Sequence, residues 1–246
     1  MVGERPDIEP LVAQLRRCAG LAGIALVGSF ARGEARSGSD LDMVALVEGE
    51  SPERVETFLY HGWPVEVLFK SEVEVWKAVE EETLPEKVVP AWAEARILYD
   101  PEGRFARLVA EIRQLYRKGP PPMSAEERRY ASFELEHLRR LLLERAQSEE
   151  LDERATLALL LAQAVRFGAD ALIRLKGEWP ANPRRTVPAL REVDGESAEL
   201  AVRALAGGRM DLARAFLERV QGELGGPPRE LGGVLPDPKR GPSPFT

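Results

Sequence analysis

The segment from residue 27 to residue 42 constrains this chain more than any other part of it. It reads Val27-Gly28-Ser29-Phe30-Ala31-Arg32-Gly33 and, after five further residues, Ser39-Asp40-Leu41-Asp42. The preceding run, residues 21–27, is short and apolar, which predicts a buried strand that enters a tight turn at the glycine. A helix is expected to begin within residues 30–35. Because glycine lets a ligand approach the backbone and helix starts favour anions, we expect an anion-binding turn here.

Two carboxylates open the next predicted strand, residues 41–47. Side chains alternate across a strand, so Asp40 and Asp42 are expected to point to the same face. Paired carboxylates repel each other unless a cation lies between them, and hard oxygen ligands suit Mg²⁺. A third acid, Glu66, lies inside the apolar run 63–69 on a further predicted strand. Burying this acid unpaired would be costly, and a metal ion would offset that cost.

Each of these features has an ordinary structural interpretation when it is taken alone. A Gly-Ser turn is common, two spaced aspartates usually lie in a solvated loop or cap a helix, and Glu66 suits a wet sheet edge. The combination is much harder to obtain by chance. It places a strand, a Gly-Ser turn, a helix, a pair of aspartates and a third acid in one order along the chain.

The run from Gly28 to Gly33, together with Ser39-Asp40-Leu41-Asp42, resembles the signature of the DNA polymerase β-like nucleotidyltransferase superfamily. Its Ala31-Arg32-Gly33 form is most similar to the kanamycin, lincosamide and minimal nucleotidyltransferases. The resemblance covers roughly residues 8–117, and no position of the motif departs from the pattern. It implies an α/β (α+β) nucleotidyltransferase domain with a mixed sheet.

The resemblance also implies the roles of individual residues. It implies that the nucleotide-binding residues are Gly28, Ser29, Arg32 and Ser39. It implies that Asp40, Asp42 and Glu66 are the catalytic carboxylates and bind one or two Mg²⁺ ions. In this superfamily an acceptor hydroxyl attacks the α-phosphorus of a nucleoside triphosphate, and pyrophosphate leaves.

The remaining pattern of the first half predicts a domain over residues 1–118. Apolar residues at helix spacing predict a first helix over residues 7–19. The predicted elements that follow the Gly-Ser region are a helix at 54–60, the strand of Glu66, a helix at 71–81, a strand at 95–99 and a helix at 102–117. The helix at 54–60 is inferred from Ser51-Pro52-Glu53, which resembles a helix start.

Lys118-Gly119-Pro120-Pro121-Pro122 forms a stiff break, and the pattern beyond it is helical. The predicted helices cover residues 124–147, 151–176, 184–193, 197–205 and 210–224. Ser124 and Glu127 have the spacing of a capping box at the start of the first of them. We expect an all-α bundle domain over residues 123–224, followed by a flexible Gly- and Pro-rich tail at 225–246.

Charge and composition restrict the classes of partner that the chain is expected to bind. The chain carries a net charge of −7, and residues 1–120 hold 15 Lys and Arg against 21 Asp and Glu. An acidic first half makes nucleic acid an unlikely partner and suits a cationic small acceptor. Cys18 is the only cysteine, which excludes an intrachain disulfide. No apolar run approaches the ~18 residues of a membrane span, and no signal-like core is seen, so we expect a cytoplasmic protein without a membrane partner.

The sequence therefore predicts an Mg²⁺-dependent nucleotidyltransferase that moves AMP from ATP to a hydroxyl of a small, aminoglycoside-like molecule. Two alternatives remain: an AMPylating enzyme of antitoxin type that modifies a protein, and a nucleotide-binding module without catalysis. A homodimer that shares its cleft is a further possibility, as in some members of the superfamily.

The group that deprotonates the acceptor is left open. Glu66 is one candidate, and Glu134 or Glu136 in the first bundle helix are others, although a solvated helix face explains both. Arg166, Asp170 and Arg174 recur at helix spacing inside an otherwise apolar segment. A ladder of ion pairs along that helix is the simpler interpretation, and contact with the triphosphate or acceptor is the alternative.

Overall fold

A computed structural model describes residues 6–228 of the chain, which divides into two compact units between Gly119 and Pro120. The first unit is an α/β structure with a mixed sheet, and the second is all helical, as the sequence predicts. The elements of the first unit are α1 (Glu9–Leu15), β1 (Leu21–Leu26), α2 (Gly28–Arg32), β2 (Leu41–Val47), β3 (Arg54–Tyr60), β4 (Trp63–Ser71), α3 (Glu72–Glu80), α4 (Val88–Ala93), β5 (Arg96–Tyr99) and α5 (Arg104–Lys118).

The five strands form one sheet in the order β3-β4-β2-β1-β5. β2 and β4 run parallel, and the other neighbouring pairs are antiparallel. One face of the sheet is buried against α1 and α2, in a core to which Leu11, Ile24 and Phe30 belong. On the other face α5 comes close to β1, because a Cβ on Gly23 would lie only 2.9 Å from Cδ2 of Phe105.

The helix predicted for residues 54–60 is wrong, because this segment is strand β3. It forms a hairpin with β4, and the two strands are joined by His61 and Gly62, whose φ angles are 51° and 81°. Positive φ at both central residues is the geometry of the type I′ turn that joins the strands of tight hairpins. Val55, Thr57 and Phe58 are β-branched or aromatic residues that favour strands, so pairing with β4 outweighs the helix start inferred from Pro52.

The second unit contains five helices within the described residues. They are α6 (Ala125–Arg145), α7 (Leu151–Leu175), α8 (Thr186–Val193), α9 (Gly195–Gly207) and α10 (Met210–Leu224). The predicted capping box is confirmed: Oγ of Ser124 accepts from the Glu127 N–H at 3.1 Å, and the Glu127 carboxylate accepts from the Ser124 N–H at 2.6 Å. Of the tail predicted at 225–246, residues 229–246 lie outside the described part of the chain.

The core of the helical unit is closely packed around α7 and α10. Phe216 of α10 is fully buried and lies against Gly168 of α7, where a Cβ would be only 2.8 Å from Cε1 of the ring. Two buried polar side chains of this core, Ser132 and Gln221, are hydrogen-bonded. Ser132 Oγ donates to the Gly226 carbonyl at 2.6 Å, and Nε2 of Gln221 donates to the Ser132 carbonyl at 3.1 Å.

Helix α7 corrects the expectation that no segment approaches the apolar length of a membrane span. By length and mean hydropathy it is the one helix among residues 6–228 that meets the requirements for crossing a membrane. Core helices of soluble proteins meet the same requirements, and α7 supplies Leu161, Val165 and Leu172 to the core of its unit. Length and hydropathy are therefore weak evidence for a membrane partner.

An acid-sensitive ion pair on α6 yields a stability prediction. Hydrogen bonds from Arg139 and then Arg140 outweigh burial and lower the pKa of Glu136 from 4.5 to about 2. A pKa shift of one unit corresponds to about 1.4 kcal/mol of interaction free energy. Because Arg140 is exposed, solvent weakens its interaction with Glu136. We therefore expect Glu136→Gln to lower the free energy of unfolding by about 2 kcal/mol at pH 7. The depressed pKa stabilises the fold above pH 4.5, and this contribution disappears as the pH falls from 4.5 toward 2.

Urea unfolding of the full chain at pH 7 and at about pH 3 tests this prediction, since the difference between wild type and Glu136→Gln is expected to fall to about half or less at the lower pH. Glu144→Gln is the matched control, because Glu144 is 70% exposed and its pair with Arg145 is long, at 3.4 Å. A Glu136→Gln effect that does not change with pH would contradict the assignment.

Candidate functional site

The turn between β1 and β2 brings the Gly-Ser pair against the second aspartate. The Val27 N–H donates to the Asp42 carbonyl at 2.9 Å, and α2 begins at the next residue, Gly28. Gly28 has a φ of 68°, and a Cβ on it would lie 2.5 Å from Oδ2 of Asp42. Only glycine satisfies both the positive φ and this close approach. The Gly28 backbone therefore lies directly against the Asp42 carboxylate.

The hydroxyl of Ser29 is buried beside this contact. Within residues 6–228 its Oγ atom has no hydrogen-bond partner. A buried hydroxyl without a partner costs about 1–3 kcal/mol, so such groups are usually explained by a bound water, ion or ligand. The neighbouring Phe30 is buried and packs edge-on against Trp63, with ring centroids 5.4 Å apart, and this contact holds the short helix α2 on the core.

The acidic residues are placed by the pairing of β2 with β4. Asp42 and Glu66 are direct partners in this parallel ladder, which confirms that Glu66 lies on the neighbouring strand. Since partners across a ladder share a face, both carboxylates lie on the same side of the sheet. Val65, Val67 and Phe69 are buried on the opposite side, as predicted. Asp40 lies just before β2 in the sequence and is half-buried.

Within residues 6–228 no three His, Cys, Asp or Glu side chains form a group arranged to hold a metal ion. Mg²⁺ commonly binds proteins through one or two carboxylates, together with water and substrate phosphates. The in-register pair of Asp42 and Glu66 offers oxygen donors of that kind, so the residues present fit the ion. The complete set of Asp40, Asp42 and Glu66 stays a prediction.

Arg32 is engaged by two carboxylates. Its Nε lies 2.7 Å from Glu34 and its Nη1 lies 3.1 Å from Glu94, and only 14% of the side chain is exposed. Burial lowers the pKa of Arg32, but the hydrogen bonds that Arg32 donates to both carboxylates outweigh burial and raise the pKa overall. The contact with Glu94 was not predicted, because Glu94 lies 62 residues from Arg32 and carries no local signal. Contact between Arg32 and a triphosphate stays a prediction.

Ser39 closes the loop that leads from α2 into β2. Its Oγ accepts from the Arg36 N–H at 2.9 Å, and its own N–H donates to the Arg36 carbonyl at 2.9 Å. The residue is buried, with 4% of its surface exposed. These bonds give Ser39 a structural role in positioning Asp40, and its predicted role in nucleotide binding remains a prediction.

Four charged candidates of the helical unit, Glu136, Arg166, Asp170 and Arg174, have partners within that unit. Arg166 and Asp170 form an ion pair at 2.6 Å, and Arg174 donates to the Pro121 carbonyl. Burial raises the pKa of Asp170, and the hydrogen bond from Arg166 opposes that rise. Glu136 is bound by Arg139 and Arg140. These contacts favour the ion-pair interpretation for Arg166 and Asp170, whereas Arg174 instead ties α7 to the start of its unit.

Residues 9–99 match the family model described as the nucleotidyltransferase domain. This segment contains the Gly28-Ser29 turn, both aspartates and Glu66. The match supports the resemblance to the nucleotidyltransferase superfamily and nucleotidyl transfer as the general activity. The kanamycin, lincosamide and minimal branches of the superfamily are not distinguished by it.

Among solved structures, the chain is similar to a nucleotidyltransferase-like protein from Exiguobacterium sibiricum. The two share 13% identity over 87% of this chain and 73% of that chain, with a TM-score of 0.44. No curated protein matches the chain. Support for nucleotidyl transfer therefore comes from residues 9–99 and from the geometry of the site within them.

Proposed function

We propose that the first unit transfers a nucleoside monophosphate from a nucleoside triphosphate, with ATP as the expected donor, to a hydroxyl group of a small molecule. The observation that carries this proposal is the buried Ser29 hydroxyl without a partner among residues 6–228, next to the contact of Gly28 with Asp42. An oxygen of a bound phosphate would accept a hydrogen bond from that hydroxyl. The matched nucleotidyltransferase segment supports the same class of donor.

In the proposed reaction, the acceptor oxygen forms a bond to the α-phosphorus while the bond from that phosphorus to the β-phosphate oxygen breaks. The nucleoside monophosphate is thereby moved to the acceptor, pyrophosphate leaves, and the hydroxyl proton passes to a base. Gly28 and Ser29 hold phosphate oxygens, and Asp42, Asp40 and Glu66 are the carboxylates that hold Mg²⁺. When it is bound, Mg²⁺ neutralises charge on the phosphates. The protein mainly positions the reactants.

The charge of the first half supports a cationic acceptor. Residues 1–120 carry an excess of six acidic residues over basic ones. Such a balance attracts small cations and repels polyanions. Glu66 is exposed and lies beside Asp42 in the ladder, so it can meet both the metal and an acceptor from solvent. An aminoglycoside-like amino sugar fits this description.

The direct test incubates the full chain with Mg²⁺, each of the four common nucleoside triphosphates and a pool of aminoglycosides and lincosamides. Pyrophosphate release and a mass gain of one nucleoside monophosphate on a pool member are the expected results. Candidate proteins are included as alternative acceptors, because a mass gain on a protein would replace the small-molecule acceptor with the AMPylation alternative. Triphosphate binding without transfer to any acceptor would contradict the proposed activity.

Ser29→Ala separates a role in ligand binding from a role in folding. Removal of an unpaired buried hydroxyl is expected to leave the free energy of unfolding unchanged or to raise it by up to about 1 kcal/mol. Loss of a hydrogen bond to a phosphate is expected to weaken triphosphate affinity by about tenfold. Calorimetric titration and urea unfolding measure the two effects. Ser37→Ala is the matched control, because Ser37 is an exposed serine in the loop that follows α2.

A further inference from the structure

Strand β3 is an edge of the sheet whose residues are exposed on both faces. Val55, Phe58 and Leu59 have 50%, 36% and 73% of their surfaces exposed. The ladder between β3 and β4 runs through all seven residues of β3 without a register shift, so the outer edge is regular. A regular seven-residue edge with exposed apolar side chains presents unpaired N–H and C=O groups, and such an edge pairs readily with a further strand.

The hairpin register determines which backbone groups point outward from β3. Leu59 is the direct partner of Pro64, which has no N–H to donate. Leu59 and Pro64 therefore form a pair that exchanges no hydrogen bonds. Such pairs alternate with hydrogen-bonded pairs along an antiparallel ladder. It follows that Val55, Thr57 and Leu59 direct their N–H and C=O groups away from β4, toward the open edge.

These three residues form a self-complementary pattern centred on Thr57. We propose that β3 pairs antiparallel with β3 of a second copy of this chain, about a two-fold axis at Thr57. Thr57 then faces the partner subunit's Thr57, and Val55 faces the partner subunit's Leu59. Both pairs use outward-directed backbone groups, so each exchanges two hydrogen bonds. The same register joins the exposed Val55 and Leu59 side chains on one face of the sheet.

The opposite face of β3 is compatible with this register. Arg54 faces the partner subunit's Tyr60, and Glu56 faces the partner subunit's Phe58, so no two like charges lie directly opposite each other. Arg54 and Glu56 already neutralise each other within one chain, at 2.8 Å. β3 contains neither of the residues, proline and lysine, that commonly protect edge strands from pairing.

The pairing joins two five-stranded sheets and places both candidate sites on one face. Thr57 is the ladder partner of Glu66, so three strand spacings separate Glu66 from the partner subunit's Glu66. At about 4.8 Å per spacing, the two Cα atoms lie about 14 Å apart. The exposed side chains around the axis then border both sites. This inference does not depend on the transfer reaction and is tested without it.

Disulfide trapping tests the register. Directly opposed residues that exchange hydrogen bonds have Cα atoms about 5.5 Å apart, within the range that a disulfide spans. In a Cys18→Ala background of the full chain, Thr57→Cys is expected to form a covalent dimer with oxidised glutathione. Val55→Cys alone is expected to stay uncrosslinked, whereas a mixture of Val55→Cys chains with Leu59→Cys chains is expected to crosslink. Thr156→Cys, an exposed threonine of α7, is the matched control and is expected to stay monomeric on denaturing gels.

The mass in solution tests the same surface without cysteines. Wild type at about 100 µM, a concentration at which micromolar dimers are populated, is expected to sediment as twice its 27.3 kDa chain mass. Leu59→Lys combined with Val55→Lys, which opposes lysines across the axis, is expected to yield monomers with unchanged circular dichroism. Leu159→Lys, at a site 74% exposed on α7, is expected to leave the dimer intact.

Three results would overturn the proposal: monomeric wild type at that concentration, a dimer that survives the double lysine variant, or crosslinking of Val55→Cys with itself. Failure of the transfer assay would leave all three measurements unaffected, so the two proposals fail independently.

Discussion

Asp42→Asn is expected to abolish nucleotidyl transfer while the fold is preserved. The carboxylate lies against the Gly28 backbone and beside Glu66 in the ladder, so it is the acid most directly tied to both halves of the site. Asparagine has nearly the same shape as aspartate, but it carries no negative charge with which to bind a metal ion. Metal-assisted charge stabilisation contributes several kcal/mol to such reactions, so kcat/KM is expected to fall by about a thousandfold or more.

The measurement is pyrophosphate release at saturating Mg²⁺, with circular dichroism and urea unfolding to establish that the variant folds. Asp152→Asn is the control, because Asp152 is an exposed aspartate of the helical unit and is expected to leave transfer unchanged. Turnover by Asp42→Asn at the wild-type rate would remove Asp42 from the proposed machinery and with it the in-register pair as the metal site.

Phe216→Ala is expected to cause the largest loss of stability. The Phe216 ring of α10 is fully buried against Gly168 of α7. Leu135 of α6 also lies close to Gly168. Truncation of a buried phenylalanine removes its transfer free energy and leaves a cavity, which together cost about 3–5 kcal/mol. Urea unfolding measures this cost. Phe133→Ala is the matched control, because Phe133 is 56% exposed and is expected to change stability by less than about 1 kcal/mol.

The contact between Phe216 and Gly168 makes a double-mutant cycle informative. Alanine at position 168 gains about 1 kcal/mol of helix propensity, but its Cβ would meet the ring at 2.8 Å, and overpacking costs about 1–3 kcal/mol. Gly168→Ala is therefore expected to destabilise wild type and to stabilise the Phe216→Ala variant. Additive effects would contradict the packing argument, because residues in contact are expected to couple.

Much of the first unit follows from local sequence. The apolar run 21–27, the Gly-Ser turn and the strand after Asp40 are all found close to where the pattern predicts them, as β1, α2 and β2. The placement of Glu66 on a strand next to β2 was also predicted, whereas its expected burial was not, because the residue is exposed. The helical unit follows from its periodicity and from the capping box at Ser124.

The error at β3 shows where local signals compete. Ser51-Pro52-Glu53 favours a helix start, whereas residues 54–60 are rich in the β-branched and aromatic residues that favour strands. A short segment with both signals takes the structure that its neighbours stabilise, and β4 supplies a full ladder of hydrogen bonds to it. The engagement of Arg32 by Glu94 is of the same kind, because it depends on the position of α4 rather than on any nearby residue.

The sequence by itself determined that the chain has a strand, a Gly-Ser turn and two aspartates in the order of a nucleotidyltransferase motif, since turn geometry and side-chain alternation act over a few residues. Only the tertiary structure decided the long-range partners: the direct register of Glu66 with Asp42, the ion pair of Glu94 with Arg32, and the position of β3 at the edge of the sheet. Hydrogen bonds and ion pairs between distant segments depend on how strands pair and helices pack, and the sum of the whole core sets that arrangement.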